Sequence, residues 1–203
     1  MPGRFTFLGG HVATDFTNTV AWTAAGLANE RLDSFGDLVR WAREATLLTS
    51  AEAAALNRRA REQPARQAEA LRDAREQRAV LHDLFSALAD GRKPAAPTLR
   101  SFNALLRRAA STLQLVWENG ALTLADGGAV SDSLELVTTR VAWAAAELVR
   151  SAQAARLKRC AGDNCGWLFV DTTKNGSRRW CSMDDCGSRA KARRYYRRRK
   201  ASA

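Results

Sequence analysis

Four cysteines constrain this 203-residue chain more than any other feature, because all of them fall in its last quarter. Cys160 and Cys165 form one C-x4-C pair, fifteen residues intervene, and Cys181 and Cys186 form a second pair. Two thiols per short loop, with enough chain between the pairs for one hairpin, suit a tetrahedral site with four thiolate ligands. Disulfides, redox switching or inert thiols are the alternatives, and in a reducing compartment clustered thiols favour a metal. Lys158, Arg159, Arg178 and Arg179 lie near the thiols in sequence and favour the thiolate form. Four sulfurs close the coordination sphere, so one structural zinc ion is expected rather than a hydrolytic one. A segment of this size buries little apolar surface by itself, and metal binding would supply much of its folding free energy.

The charge is as unevenly placed as the thiols. The chain carries a formal +11, yet residues 156–203 hold 14 Lys/Arg against 4 Asp/Glu while residues 1–155 are nearly neutral. The sequence therefore divides into a body, 1–155, and a polycationic tail, 156–203. The longest apolar runs, such as Val141 to Ala146, fall far short of the ~18 residues of a membrane span. The start has no apolar h-region, so the expectation is a cytoplasmic protein that does not engage a membrane.

The body reads as mainly helical. Ser34-x-x-Asp37 and Thr49-x-x-Glu52 have the form of capping boxes ahead of two amphipathic helices. Pro64 opens a third helix that stops near Gly91, and a fourth follows from Thr98. Leu113, Leu115 and Trp117 then alternate with Gln114, Val116 and Glu118, and Asn119-Gly120 supplies a tight turn before Leu122 and Leu124, which predicts a β-hairpin. Asp132-x-x-Glu135 is positioned to cap a long helix over residues 133–157 that leads straight into Cys160 and couples body to tail.

Near the amino terminus a run of small polar residues contains His11, Asp15 and Asn18. These could line a site for an anion or small ligand. The plainer reading is a helix start in which Asp15 and Asn18 satisfy backbone groups. His11 and His82 are too isolated to argue for a catalytic base, and no G-x-S-x-G, Walker loop or G-x-G-x-x-G is present, so no enzyme is expected.

In the tail, Trp167 to Val170 predicts a short strand, Asn175-Gly176 a turn, and Arg179-Trp180 the start of a returning strand. A helix carrying the last two ligands completes a treble-clef-like order, with Ser182-x-x-Asp185 as its cap. Eight cations and no acid fall between residues 189 and 200. The apolar face that a membrane-surface helix needs is missing, so the expected partner is a nucleic acid. Trp167, Phe169 and Trp180 either stack on bases or, more commonly in small zinc modules, form the core.

The run Cys160-x4-Cys165-Gly-Trp-Leu-Phe-Val-Asp171, followed by Arg178-Arg179-Trp180-Cys181-Ser-Met-x-x-Cys186-Gly-x-Arg189-x-Lys191, resembles the CGNR zinc finger of bacterial proteins. The body, with Asp15-Phe16-Thr17-Asn18-Thr19, is similar to the ABATE domain that precedes this finger in predicted stress-induced transcription regulators. The resemblance implies zinc held by Cys160, Cys165, Cys181 and Cys186, and a body that senses a ligand or stress or forms a homodimer. It departs from the family at Ser188, where the eponymous Asn is expected.

The expectation is thus a mainly α (α+β) chain, a helical domain with a β-hairpin followed by a treble-clef-like finger and a basic carboxy-terminal helix. Its expected role is zinc-dependent binding of double-stranded DNA at the nucleoid through Arg178, Arg179, Arg189, Lys191, Arg193, Arg194, Arg197 and Arg198. An RNA- or ribosome-associated protein is the alternative.

Overall fold

A computed structural model describes residues 4–127 and 133–201, and shows a mainly helical protein with three small antiparallel hairpins. The order is α1 (Val12–Thr17), β1 (Ala21–Thr23), β2 (Gly26–Ala28), α2 (Phe35–Glu44), α3 (Ser50–Glu62), α4 (Pro64–Ala89), α5 (Ala96–Ala110), β3 (Leu113–Glu118), β4 (Ala121–Asp126), α6 (Leu136–Arg150), a 3-10 turn (Ala152–Arg156), β5 (Leu157–Arg159), β6 (Leu168–Val170), a π turn (Met183–Gly187) and α7 (Ser188–Ala201).

Local chemistry sets most of these boundaries. Both capping boxes form: Ser34 Oγ accepts from Asp37 N while Asp37 accepts from Ser34 N, and Thr49 and Glu52 repeat the exchange. Pro64 stands at the first position of α4, where its missing N–H costs nothing. The β3–β4 hairpin turns through Asn119 and Gly120, both at positive φ, with Leu115 opposite Leu124 and Trp117 opposite Leu122.

The predicted helix over 133–157 is shorter. Asp132 lies outside the described residues, and Ser133 Oγ accepts from the Glu135 N–H at 3.2 Å. α6 stops at Arg150, where Ser151 turns extended and its hydroxyl caps the 3-10 turn. The break frees Leu157 to begin β5, whose buried end faces the core instead of continuing a helix surface.

The core gathers around α4, which packs against every other described helix of the body. Phe16, Trp41, Leu81, Phe85, Leu136 and Leu148 are fully buried there. The same cluster continues into the tail, because Leu157, Leu168 and Val170 belong to it. A partly buried ion pair fixes the loop between β2 and α2. Arg78 is 2 % exposed and grips both carboxylate oxygens of Glu30 at 2.6 and 2.5 Å. Burial pushes the Glu30 carboxyl up, but the Arg78 guanidinium and the N–H groups of Leu32 and Arg31 outweigh it and hold it below its ordinary value.

Candidate metal centre and basic helix

β5 and β6 pair Leu157 with Val170 and Arg159 with Leu168, and Cys160 N donates to Trp167 O to extend the ladder. The first cysteine knuckle is therefore the loop of this hairpin. The sequence pattern instead predicts residues 167–170 paired with a return at 179–180. The observed pairing wins because it places Leu157 and Val170 together in the body's core. The Asn175-Gly176 turn is present, with Gly176 at φ 61°, but the chain beyond it does not pair with the knuckle as a strand: Ala161 N donates to Arg179 O and Cys181 N to Cys160 Sγ.

Asp171 organises that return. It is fully buried and accepts from Lys158 Nζ at 2.7 Å, Thr173 Oγ1 at 2.5 Å, Thr173 N at 3.0 Å and Arg178 N at 2.9 Å. Burial alone would raise its pKa, yet these donors hold it far below the carboxylate range. Sequence reasoning gave Asp171 no role. Its signals are its place in the CGNR-like run and an acid directly after an apolar strand.

The four cysteines converge, with all Sγ atoms within 4.8 Å of one another and none in a disulfide. Cys165 and Cys181 are 3.8 Å apart and Cys181 and Cys186 3.6 Å. A tetrahedron with metal–sulfur bonds of about 2.3 Å has edges of about 3.8 Å, so the spacing is that of a tetrathiolate site. Gly162 closes the knuckle tightly: a Cβ there would stand 3.0 Å from Cys186 Sγ and 3.2 Å from Cys165 Cβ. Hydrogen bonds from Cys165 and Cys181 lower the Cys160 thiol strongly, while the bond to Cys160 drives Cys165 and Cys181 up. Four thiolates packed this closely need a cation, and a divalent metal supplies it. The residues fit such an ion, with Cys160, Cys165, Cys181 and Cys186 as its ligands.

Cys181 lies in the loop before the π turn and Cys186 within it, so α7 starts after both ligands rather than carrying them. Ser182 Oγ accepts from Asp185 N at 3.4 Å, as its spacing predicts. Ser188 begins α7 and donates to Met183 O at 3.0 Å, which ties the turn locally. Arg189 Nη2 meets both Asp185 Oδ2 at 3.0 Å and Cys186 Sγ at 3.3 Å, an N–H···S contact that offsets thiolate charge.

The eight predicted cations divide by position. Arg178 is turned inward, donating to Leu8 O, Trp180 O and Cys181 O and lying 4.2 Å from the Phe169 ring centroid. Arg189 is engaged with the ligand turn. Arg193 bridges Asp163 of the knuckle at 2.8 Å and so anchors α7. Lys191 is exposed. Arg179, Arg193, Arg194, Arg197 and Arg198 line one groove of about 490 Å³ between the knuckle and α7. Trp180 shares that groove, and its indole N–H is buried without a hydrogen-bond partner. Trp167 and Phe169 are buried beside the cysteines, as core.

His11 caps the start of α1, Asp15 lies within it and Asn18 ends it, and all three are engaged by backbone. His11 Nδ1 accepts from Ala13 N, and Asp15 Oδ1 accepts from Gly9 N at 2.7 Å. Burial raises the Asp15 carboxyl to about 6 against the pull of that N–H and of Arg178. Asn18 clamps β6: its Nδ2 donates to Leu168 O at 2.8 Å and its Oδ1 accepts from Leu168 N at 3.1 Å.

Further bonds sew the knuckle to the body. Gly166 N donates to Trp22 O at 2.7 Å, Trp167 Nε1 to Val20 O at 3.0 Å, and His82 Nε2 to Gly166 O at 3.0 Å, with the His82 ring stacked on Trp22. A Cβ at Gly166 would approach Trp22 Cβ to 2.6 Å, so only glycine fits this contact. Burial lowers the pKa of both His82 and His11.

No helix among the described residues is long and apolar enough to cross a membrane. No curated protein matches the chain significantly. Residues 156–199 match the CGNR zinc finger. Residues 10–152 match the ABATE family, described as "Putative stress-induced transcription regulator". With a match over most of its length and a thiol cluster of the required geometry behind it, the chain belongs to the ABATE family and carries a CGNR zinc finger.

Proposed function

We propose that the protein is a zinc-dependent regulator that binds double-stranded DNA through the groove between the first knuckle and α7. The observation that carries this reading is the groove itself: five arginines line it, and its floor is held by the Arg193–Asp163 bridge beside the cysteine cluster. Zinc suits four thiolates at these spacings, and it leaves no position open for a substrate, so the protein is read as a binder rather than an enzyme. Arg179, Arg194, Arg197 and Arg198 meet phosphates, and Lys191 extends the same positive surface. Arg178 and Arg189 act as positioning residues, because their donors already hold backbone carbonyls, Asp185 and Cys186. The body is the regulatory or dimerising part.

A second reading is favoured by one feature. Trp180 is half-buried in the arginine-lined groove with the Arg179 guanidinium 5.1 Å from its ring centroid, and an aromatic ring among arginines suits a stacked base of single-stranded nucleic acid or RNA. Metal analysis of the purified chain, followed by duplex binding with and without chelator, tests the primary reading. One bound zinc per chain and loss of duplex affinity on chelation or in Cys181→Ala are expected. Undiminished duplex binding by metal-free protein overturns it, and tighter binding of RNA than of duplex transfers the function to the second reading.

A further inference from the structure

We propose that the cleft on the seam between the body and the first knuckle binds a small molecule bearing one carboxylate. The cleft encloses about 520 Å³, within the range of small-ligand sites. Thr6, Trp22, Asn29 and Arg31 of the body form one side, and Asn164 and Trp167 of the knuckle form the other. It is separate from the arginine groove, and the inference stands whether or not the protein binds DNA.

Arg31 carries the argument. Its guanidinium is half-buried and stands 5.2 Å from the Trp167 ring centroid. Arg78, Arg140, Arg159, Arg189 and Arg193 all have carboxylate partners, several of them at the same degree of burial or more exposed. Among the described residues Arg31 has none, and the one hydrogen bond its side chain donates is a long contact of 3.5 Å to Thr6 Oγ1. Burial lowers its pKa with nothing to oppose the shift. A partly desolvated guanidinium with unused planar donors is the element that recognises a carboxylate in two-point fashion.

The rest of the cleft limits the ligand's charge. Cys165, Cys181 and Asp185 also border it, and Asp185 is already neutralised by Arg189. The thiolate cluster retains excess negative charge even around a divalent ion, so a second anionic group on the ligand would be repelled. The half-buried Trp22 indole offers a flat apolar contact, Trp167 backs the Arg31 guanidinium, and the Asn29 and Asn164 amides offer polar contacts. The ligand class is therefore a monocarboxylate with a flat or polar body. Because both sides of the cleft contribute, its occupancy bears on the knuckle and the body together.

The test uses the full, metal-loaded chain labelled with 15N, with benzoate as probe and chloride holding ionic strength constant. Saturable shifts of the Trp22 and Trp167 indole N–H signals are expected. Arg31→Gln should weaken benzoate by roughly tenfold or more, as expected for loss of a charge-assisted pair, with Arg31→Lys in between. Phthalate, with its second carboxylate, should bind several-fold more weakly. Absence of saturable indole shifts, equal affinity in Arg31→Gln, or phthalate binding as tight as benzoate each overturns the proposal. Metal content and the remaining indole signals report whether Arg31→Gln is folded, and Arg31→Lys decides the question if it is not.

Discussion

Two hairpins of this molecule contrast in every respect except topology. β3–β4 has six residues per strand, a strong turn signal and a marked alternation, yet most of its large apolar side chains face solvent: Leu115, Trp117, Leu122 and Leu124 are 51 to 70 % exposed. β5–β6 has three residues per strand and a cysteine knuckle for a loop, yet Leu157, Leu168 and Val170 are buried in the body's core. Hairpin formation is a local matter of turn chemistry, whereas burial of a hairpin is decided by what reaches it from elsewhere in the chain. β5–β6 is met by Asn18, His82, Asp171 and the metal ligands. β3–β4 is held to the rest through its last residue, where Asp126 accepts from Arg140 Nε at 2.6 Å.

The largest test of this contrast removes the clamp on the short hairpin. Asn18→Ala leaves the buried N–H and C=O of Leu168 without their side-chain partner, and about 2–4 kcal/mol of stability should be lost. Chemical denaturation of metal-loaded protein measures it, and a loss below about 0.5 kcal/mol would mean that β6 is held by packing alone.

An intermediate effect is expected where the long hairpin is anchored. Arg140 also donates to Leu47 O at 2.5 Å and to Glu52 Oε1 at 2.6 Å, which lowers the Glu52 carboxyl from 4.5 to about 2. A depressed carboxylate adds stability that is complete above its unfolded value and fades as pH falls through its folded one. Wild-type stability should therefore decline between pH 4.5 and about 2 on account of Glu52, and Arg140→Met should be less stable at neutral pH and flatter across that window. Thermal melts over the acid range give both results, and an unchanged acid slope in the variant would assign the decline to other carboxylates.

The smallest effect belongs to the exposed face. Replacing Trp117 with Gln and Leu122 with Thr removes a cross-strand apolar pair that water already reaches, and stability should change by no more than about 0.5–1 kcal/mol. A loss of several kcal/mol in the same denaturation assay would show that this face is covered in solution.

The same division explains what the sequence disclosed. The capping boxes at Ser34 and Thr49, the Asn119-Gly120 turn, the stop near Gly91 and the four thiols are short-range signals, and each appears where its spacing puts it. The break of α6 at Ser151 and the pairing of β6 with β5 depend on Leu157 and Val170 finding the core around α4, which no local pattern announces. Basic residues were visible as a block, but not that Arg178 turns inward to Leu8 while Arg194 and Arg197 line a groove. Partners 170 positions apart leave no periodic trace.

The insertion of β5–β6 into the body's core also orders events during synthesis. The helices of residues 12–150 leave the ribosome first, but the side of their core that Leu157, Leu168 and Val170 occupy stays open until the chain has grown past residue 170. Completion of the amino-terminal domain therefore waits on the segment that holds the first cysteine pair, and until that segment is placed the nascent helices stay exposed to chaperones and proteases.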